Sequence, residues 1–249
     1  MSQTPGGIEN KRVALVIGAG DATGSAIARR FAREAYVVCL TRRSADKLQP
    51  LVEEIRAAGG EVHGFASDAR KEEQVAELVE AIESGIGPID VFVFNIGANV
   101  PCSILEETAR KYFKVWEMAC FAGFLTGQAV AKRMATRRHG TILFTGATAA
   151  LRGAANFAAF ATAKQGLRAL AQSMARELGP MNIHVGHVVI DGAIDTAFIR
   201  ENFPARYAEK DRDGILSPDH IAEAYWYLHS QPRDAWTFEL DLRPWTERW

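Results

Sequence analysis

Apolar and polar positions follow two different periods along this chain, and the two kinds of segment alternate. Short and almost wholly apolar runs, typical of strands covered on both faces, are predicted at 13–17, 36–41, 61–66, 90–94, 141–145, 183–189 and 238–242. Stretches with helical spacing lie between them, at 22–33, 44–58, 71–84, 104–137, 155–178 and 218–229. The last of these helices has Ser217 as a cap and Pro218 at its first position.

Strict alternation of strands and helices indicates an α/β fold of the doubly wound, Rossmann-like kind. We expect a single domain over residues 1–249, with a parallel sheet of about seven strands and helices on both faces. Residues 1–11 are polar and predict a loose N-terminal arm, and 192–216 lack strong periodicity. Ligands of such sheets bind beyond the carboxyl ends of the strands, so the residues that follow each strand are the candidates for chemistry.

The composition narrows the class of protein. The chain has 249 residues and a net charge of −1, which gives no basic surface for nucleic acid or an anionic membrane. Its cysteines, Cys39, Cys102 and Cys120, are odd in number and far apart, which favours reduced thiols over disulfides or a metal site. The first residues contain no secretory signal, and no apolar run approaches the ~20 residues of a membrane span. We therefore expect a cytoplasmic protein with no metal.

Three glycines follow the first predicted strand, at Gly18, Gly20 and Gly24, and Thr23 lies in the same turn. Such a turn between a strand and a helix lets backbone N–H groups approach a pyrophosphate, although a tight turn without a ligand is the alternative. The stretch resembles the T-G-x-x-x-G-x-G turn of the short-chain dehydrogenase/reductase family, with Ala22 in place of the middle glycine. The resemblance implies a dinucleotide site.

The end of the second predicted strand bears on the choice of dinucleotide. An acidic residue there would favour NAD, but Thr41 is followed by Arg42 and Arg43. Guanidinium groups make paired hydrogen bonds to a 2′-phosphate, so the arginines favour NADP over NAD. NAD stays possible, because Asp21 in the glycine turn would repel that phosphate, and two surface arginines at a helix start are the plainer interpretation.

Further positions resemble the family's cofactor contacts. Asp68 stands where relatives have the Asp that meets the adenine amino group, although it also fits a turn before the next helix. After the fourth strand, Asn95 and Gly97 match the family's N-N-A-G motif, and the small Gly97 would let a ribose lie against the strand end.

The loop after the sixth predicted strand resembles the family's P-G-x-x-x-T motif, with Asp191 in place of Pro. Gly192, Ile194 and Thr196 keep the pattern, and the resemblance implies contacts with a nicotinamide carboxamide at Ile194 and Thr196. The segment 192–216 would then be a substrate lid.

The proton-transfer residues of the family are largely missing. Relatives use a Tyr, a Lys four residues later, a Ser about 13 residues before the Tyr, and an Asn on an earlier helix. Lys164 matches the Lys, but Phe160 stands at the Tyr, Ala147 at the Ser and Cys120 at the Asn. A phenyl ring has no proton to give, so the resemblance implies a ribose contact at Lys164 and leaves the proton donor open.

Other polar residues are candidates for the lost contacts. Thr148 adjoins the Ser position and Thr145 ends the fifth strand, so either hydroxyl is a candidate to hold a substrate carbonyl. Asn156 lies one turn before the Tyr position on the predicted helix and is a candidate to orient a substrate, while Lys164 itself is a candidate to polarise a carbonyl. Asp191 is placed to face the cleft. Two histidines are more simply explained as packed side chains than as catalysts: His184 and His187.

The leading hypothesis is an NADP(H)-dependent oxidoreductase that acts on a carbonyl or alcohol by a non-standard mechanism. The alternative is a catalytically silent dinucleotide-binding protein with a regulatory or scaffold role. Relatives pair through their long helices, so the resemblance implies a homodimer or homotetramer that binds a small-molecule substrate, with no nucleic-acid or membrane partner. No residue identifies the substrate.

Overall fold

The computed structural model describes residues 11–20 and 22–247, so Asp21 and nearly all of the predicted N-terminal arm lie outside the described residues. All strand pairings among the described residues are parallel. The strands are β1 (Val13–Ile17), β2 (Val37–Arg42), β3 (Val62–Ala66), β4 (Ile89–Phe94), β5 (Gly140–Thr145), β6 (Ile183–Ile190) and β7 (Glu239–Leu242).

Helices connect the strands in the predicted order. They are α1 (Thr23–Arg33), α2 (Gln49–Ala57), α3 (Glu72–Gly85), α4 (Ala109–Trp116), α5 (Ala122–Arg137), α6 (Ala158–Leu178), α7 (Ala197–Asn202), α8 (Pro204–Tyr207) and α9 (Pro218–His229). Short 3₁₀ turns cover Ala45–Leu48, Thr148–Ala150, Gly179–Met181, Ala208–Arg212 and Arg233–Ala235. A π-helical turn, Glu117–Phe121, joins α4 to α5.

The sheet has the order β3-β2-β1-β4-β5-β6-β7. The chain builds outward from β1 to β3 and then crosses back to place β4 on the other side of β1, so the strand order reverses between β1 and β4. Ligands of open α/β sheets bind at such a reversal, beyond the carboxyl ends of the strands. The fold therefore places the predicted glycine turn, which follows β1, at the expected binding position.

Successive side chains of each inner strand point to opposite faces of the sheet, and each face has its own hydrophobic core. On one face, Val16 of β1 packs with Phe31 of α1 and Leu228 of α9, and on the other Leu15 packs with Phe92 and Leu167. Every residue of β1 is buried, as its continuous apolar run requires. Helices on both faces of one parallel sheet confirm the predicted doubly wound fold.

The predicted start of the helix after β5 is wrong. The helix α6 begins at Ala158 and not at residue 155, because Asn156 has φ = 67°, a left-handed conformation that cannot continue a right-handed helix. The Asn156 carbonyl also accepts a hydrogen bond from the Cys102 N–H at 2.7 Å, which holds it in a turn. Asn156 is exposed and does not share a helix face with Phe160 as predicted.

The helical stretch predicted at 104–137 starts later in the structure and is divided into two helices. The side chain of Thr108 accepts a hydrogen bond from the Lys111 N–H at 3.2 Å and caps α4, so helix begins only at Ala109. The π turn then separates α4 from α5.

The segment predicted as irregular, 192–216, contains short helices. Its two ends are held side by side by a parallel bridge between Ile194 and Leu216, with the Asp195 N–H donating to the Leu216 carbonyl at 2.9 Å. The helices α7 and α8 lie in the loop that this bridge closes. Its role as a lid stays a prediction. None of the helices described is both long and apolar enough to cross a bilayer.

Candidate cofactor and substrate site

The glycine turn packs tightly against the end of β4. Gly18 has φ = +84°, which favours glycine, and a Cβ there would lie 2.8 Å from the Asn95 carbonyl oxygen. A Cβ on Gly24 would lie 2.4 Å from the Gly18 carbonyl oxygen. Gly20 differs, because a Cβ built on it meets nothing within 4 Å. Gly18 and Gly24 therefore shape the turn, while Gly20 faces open space.

A first cavity of about 260 Å³ lies beyond β1, β2 and β3. It is lined by seven of the residues predicted to bind a cofactor: Gly18, Gly20, Arg42, Arg43, Asp68, Asn95 and Gly97. Thr41, Ser67 and Arg70 also line it. Asp68 accepts hydrogen bonds from Arg70 Nε at 2.9 Å and Nη2 at 2.6 Å, and these bonds hold the pKa of that carboxyl below its usual value. The cavity thus combines arginines at its rim with an oriented carboxylate.

A second cavity, of about 410 Å³, adjoins the first and shares Asn95 and Gly97 with it. It is lined by five further residues predicted to bind the cofactor or take part in catalysis: Thr23, Thr148, Lys164, Gly192 and Ile194. The replaced positions Ala147 and Phe160 line it as well. The fold therefore brings most of the predicted residues to one continuous cleft.

Besides Asp191, which was expected to face the cleft, four positions of the predicted site line neither cavity. The Thr196 hydroxyl accepts a hydrogen bond from the Ile199 N–H at 3.1 Å and caps α7. Gly24 is buried in the first turn of α1. Cys120 lies against α6, because a Cβ built on Gly166 would be 3.0 Å from the Cys120 sulfur. Asn156 is exposed in its turn. The structure does not bring these four side chains to the cleft.

Lys164 is buried and lines the second cavity. Its Nζ donates to the Thr145 carbonyl at 2.8 Å and to the Ile96 carbonyl at 3.0 Å, so it ties α6 to the ends of β4 and β5. Burial lowers the pKa of this lysine to about 8, and the nearby Cys120 opposes the shift. A third N–H of the ammonium group remains, since two are used by the carbonyls.

Phe160 belongs to a small core cluster as well as to the cavity wall. It packs with Val115 and Ala119 on α4 and the π turn, and its ring centroid is 5.9 Å from Lys164 Nζ. This position fits the plain interpretation of Phe160 as a buried aromatic. Burial raises the pKa of the Cys120 thiol, which makes the thiolate unfavourable there.

Thr145 is already committed to a buried network. Its hydroxyl donates to Asn95 Oδ1 at 3.1 Å and pairs with the Tyr225 hydroxyl at 2.6 Å, while Asn95 Nδ2 donates to the Gly18 carbonyl at 3.1 Å. The network links α9, β5, β4 and the glycine turn. The hydroxyl proton of Thr145 is directed at Asn95 and is not available to a substrate carbonyl. The role predicted for this hydroxyl is therefore not supported.

Thr148 is likewise committed, to a buried carboxylate. Its hydroxyl donates to Asp191 Oδ1 at 2.6 Å, so the Thr148 oxygen can accept a further hydrogen bond but its proton is not available to a carbonyl. Arg152 donates to both Asp191 oxygens at 3.3 Å. Asp191 is buried behind the cavity wall and acts on the cleft through these two residues.

The two histidines of β6 are packed, as expected. His184 stacks on Trp236 with ring centroids 4.8 Å apart, and its Nε2 pairs with the Thr237 carbonyl. His187 is fully buried, with Nδ1 2.9 Å from Glu239 Oε2, and burial lowers its pKa to about 4. Neither lines the two cavities.

The arrangement of glycine turn, cleft and buried lysine matches that of known proteins. The sequence model described as short chain dehydrogenase matches residues 12–206. The chain belongs to the short-chain dehydrogenase family. Across the residues that the structure describes, no group of three or more His, Cys, Asp or Glu side chains is arranged to hold a metal ion.

Relatives in the short-chain dehydrogenase family cover almost the whole chain. The short-chain reductase protein NovJ of Streptomyces niveus is 30% identical over 240 residues, which are 95% of this chain and 89% of NovJ. A short-chain dehydrogenase from Rhodopseudomonas palustris has 47% identity and a TM-score of 0.80, over 94% of this chain and 99% of that one. A metagenomic short-chain oxidoreductase, solved in complex with NADP, has 27% identity and a TM-score of 0.81, over 95% and 98%.

The cleft of this family member fits a dinucleotide on its own geometry. Gly20 and Gly97 line it, and a Cβ on either would meet nothing within 4 Å, so both leave room for a ligand to approach the backbone. The buried Ser67 hydroxyl at the first cavity has no hydrogen-bond partner in the protein. The donors at the rim are guanidinium groups, which suit phosphate.

Several residues that line or support the cleft have no clear pattern in the sequence. Arg70 has a weak signal, because it follows Asp68 at a spacing that allows a side-chain pair within one turn. Arg152 belongs to no motif, and Tyr225 is far away in sequence from Thr145. Only the packing of α9 against the sheet and the turn after β5 bring the last two to the site.

Proposed function

We propose that the chain is an NADP(H)-dependent oxidoreductase that acts on a carbonyl or alcohol substrate by a non-standard mechanism. The observation that carries this proposal is the continuous cleft, with two arginines at one end and buried Lys164 at the other. The NADP bound in the metagenomic relative supports the choice of cofactor. Arg42 and Arg43 would hold the 2′-phosphate, and NAD remains the alternative in the test.

Residues on the chain have distinct roles in this proposal. The backbone at Gly18 and Gly20 would hold the pyrophosphate, Asp68 the adenine, and Lys164 the nicotinamide ribose. The bound NADP(H) would supply or accept the hydride. Gly97, Gly192 and Ile194 would form the walls around its nicotinamide end, as the family resemblance implies.

The proton needs a different source from the usual tyrosine. Phe160 cannot supply it, and the hydroxyl protons of Thr145 and Thr148 are directed at Asn95 and Asp191. The third N–H of Lys164 is the remaining side-chain candidate at the second cavity, and when the ribose takes this N–H, water beside Lys164 supplies the proton. We propose that Lys164, or water beside it, holds the proton at the substrate oxygen.

A catalytically silent dinucleotide-binding protein is the second candidate. Phe160 favours it, because this side chain fits closely into a core cluster and leaves no acid at the usual position. Such a protein would bind NADP(H) in the same cleft and convert no substrate.

The test compares wild type with Phe160→Tyr and the matched control Phe157→Tyr, using NADPH binding and turnover of a carbonyl panel. Both substitutions add a hydroxyl at the cavity, but only residue 160 lies four residues before Lys164. We expect wild type to bind NADPH and turn over at least one carbonyl, and Phe160→Tyr to raise kcat/KM by roughly 10²–10⁴-fold. Phe157→Tyr should not.

The outcomes separate the two candidates. Binding of NADPH without turnover by wild type, together with activity gained in Phe160→Tyr, would leave only the silent protein. If neither form binds NADPH or NADH, both candidates fail.

The assembly and organisation of the chain remain proposals. We propose one domain over residues 1–249, with 192–216 as the substrate lid, in a cytoplasmic homodimer or homotetramer. Four aromatic rings, stacked or tilted at the surface of α4, the π turn and α5, support pairing through these helices: Phe113, Trp116, Phe121 and Phe124.

A further inference from the structure

Asp191 organises one wall of the substrate end of the cleft. It follows β6, and its side chain is only 2% exposed, yet it carries a charge that burial makes unfavourable. Thr148 and Arg152 satisfy it, with bonds of 2.6 Å and 3.3 Å. The carboxylate therefore fixes the positions of two side chains that both line the second cavity.

Arg152 has donors left over for a ligand. A guanidinium group has five N–H donors, and Asp191 takes two of them. The side chain is 41% exposed and lines the cavity, so the unused edge of the guanidinium is accessible. Arg152 thus presents a fixed, always charged fork on the wall of the second cavity.

The charged side chains that line this cavity have one sign, since Asp191 lies behind them. Among the described residues that line it, the charged side chains are Arg152 and Lys164, and both are cationic. Much of the remaining wall is apolar, with Phe157, Phe160 and Ile190 as its largest members. The usual polar anchors for a neutral carbonyl are replaced at residues 147 and 160. A ligand that fits this wall has an apolar body and one anionic group.

Resting on the function proposed above, we propose that the substrate is a carbonyl or hydroxy compound that carries a carboxylate, and that Arg152 binds this carboxylate. The fork geometry of the guanidinium matches two carboxylate oxygens. The contact orients the substrate and belongs to specificity, while the proton remains with Lys164 or water.

The experiment is a calorimetric titration of the NADP⁺-saturated protein, in which no reduction occurs. The probes are the 2-, 3- and 4-oxo acids of one six-carbon chain, each beside its methyl ester. We expect at least one acid to bind about tenfold or more tightly than its ester, because hydrogen bonds to a charged group are stronger than those to a neutral one. Arg152→Gln should abolish that difference and leave NADPH affinity unchanged.

Two further variants control for the loss of a positive charge in general and for the buried charge of Asp191. Arg176→Gln makes the same change at an exposed position of α6 and should bind the acids as wild type does. Since Arg152→Gln leaves Asp191 with less compensation, the double variant Arg152→Gln/Asp191→Asn removes the buried charge as well, and it should also lose the preference for acids.

The proposal is overturned if no acid is preferred to its ester, or if the preference survives in both Arg152 variants. It is also overturned if Arg152→Gln weakens NADPH binding as much as acid binding, because Arg152 would then serve the cofactor. Failure to bind NADPH at all is a different result, which counts against the proposed function, and the same titrations on the cofactor-free protein still measure the preference for acids.

Discussion

The amine of Lys164 is buried against two backbone carbonyls, at Thr145 and Ile96. Carbonyl oxygens stabilise an ammonium group less than a carboxylate would, so desolvation dominates and its pKa falls to about 8. The cation is therefore the main form at neutral pH, but its proton is held more weakly than that of an exposed lysine.

This shift predicts a dependence of stability on pH. Between the folded pKa of about 8 and the unfolded value near 10.4, the unfolded state binds more protons, so stability rises with pH across this window. We expect the free energy of unfolding of wild type to rise, relative to that of Lys164→Met, by on the order of 1 kcal/mol per pH unit in this window. Urea unfolding of both proteins from pH 7 to 10 measures it. A difference in unfolding free energy that does not change with pH would contradict the lowered pKa of Lys164.

The sequence predicts the site residues that belong to spaced motifs and misses those that do not. Lys164 and Phe160 are found because their spacing is that of a known pair on one helix face. Arg152 has no such pattern, and it reaches the cleft only because Asp191, distant in sequence, binds it. Whether the hydroxyls of Thr145 and Thr148 are free could not be predicted, because their partners come from other elements.

The glycine turn is an element whose members have different tasks. Gly24→Ala would place a methyl 2.4 Å from the Gly18 carbonyl oxygen, and we expect a loss of about 1–3 kcal/mol in the free energy of unfolding. Gly20→Ala has open space for its methyl and should change that free energy by less than about 0.5 kcal/mol. It should nevertheless weaken NADPH binding, because the methyl enters the first cavity.

Denaturant unfolding and NADPH titration of the two variants check this contrast. Equal stability losses in both would show that the turn does not have the geometry described. Unchanged NADPH affinity in Gly20→Ala would show that the cofactor does not approach that glycine.

The helix α9 is bonded through Tyr225 to Thr145, which lines the second cavity. This side chain is fully buried and pairs with the Thr145 hydroxyl at 2.6 Å. We expect Tyr225→Phe to lower the free energy of unfolding by about 1 kcal/mol, the usual net value of one such bond. Tyr227→Phe, on the exposed face of the same helix, is the control and should cost less than about 0.5 kcal/mol. Similar losses in both would argue against a role for the hydrogen bond.

The sequence predicts elements with a clear period to within a few residues, but it does not predict an end that depends on the conformation of one residue. The strand β1 is an example of the first kind, because its continuous apolar run predicts a strand buried on both faces. The start of α6 is an example of the second kind, because the left-handed Asn156 is held by a contact with Cys102 that no local pattern reveals. The short helices of 192–216 have too few residues to show a period.

The surface of the whole molecule carries an exposed aromatic stripe that predicts self-association. Phe113 is 55% exposed and Phe124 38% exposed, and the rings of Trp116 and Phe121 stack between them with centroids 5.7 Å apart. Exposed apolar patches of this kind mark interaction sites. We expect Phe113→Glu to shift a dimer or tetramer towards monomer in sedimentation velocity, because a charge would be buried in the interface.

Tyr227→Glu changes a ring of similar exposure, 54%, on α9 and should leave the assembly intact. A wild-type protein that sediments only as a monomer would count against the proposed homo-oligomer, and so would equal effects of the two substitutions.

The π turn between α4 and α5 makes the helical face of α5 depend on chain length. A π turn holds one residue more than the regular spacing, and each residue of an α-helix rotates the face by about 100°. Beyond the turn, Gly123 and Gly127 lie against Leu167 and Phe144, where a Cβ would meet them at 2.5 Å and 3.1 Å. Deleting one residue from the turn would regularise the helix and rotate both glycines away from these two side chains. This short stretch is therefore intolerant of insertion and deletion, whatever substitutions its individual positions accept.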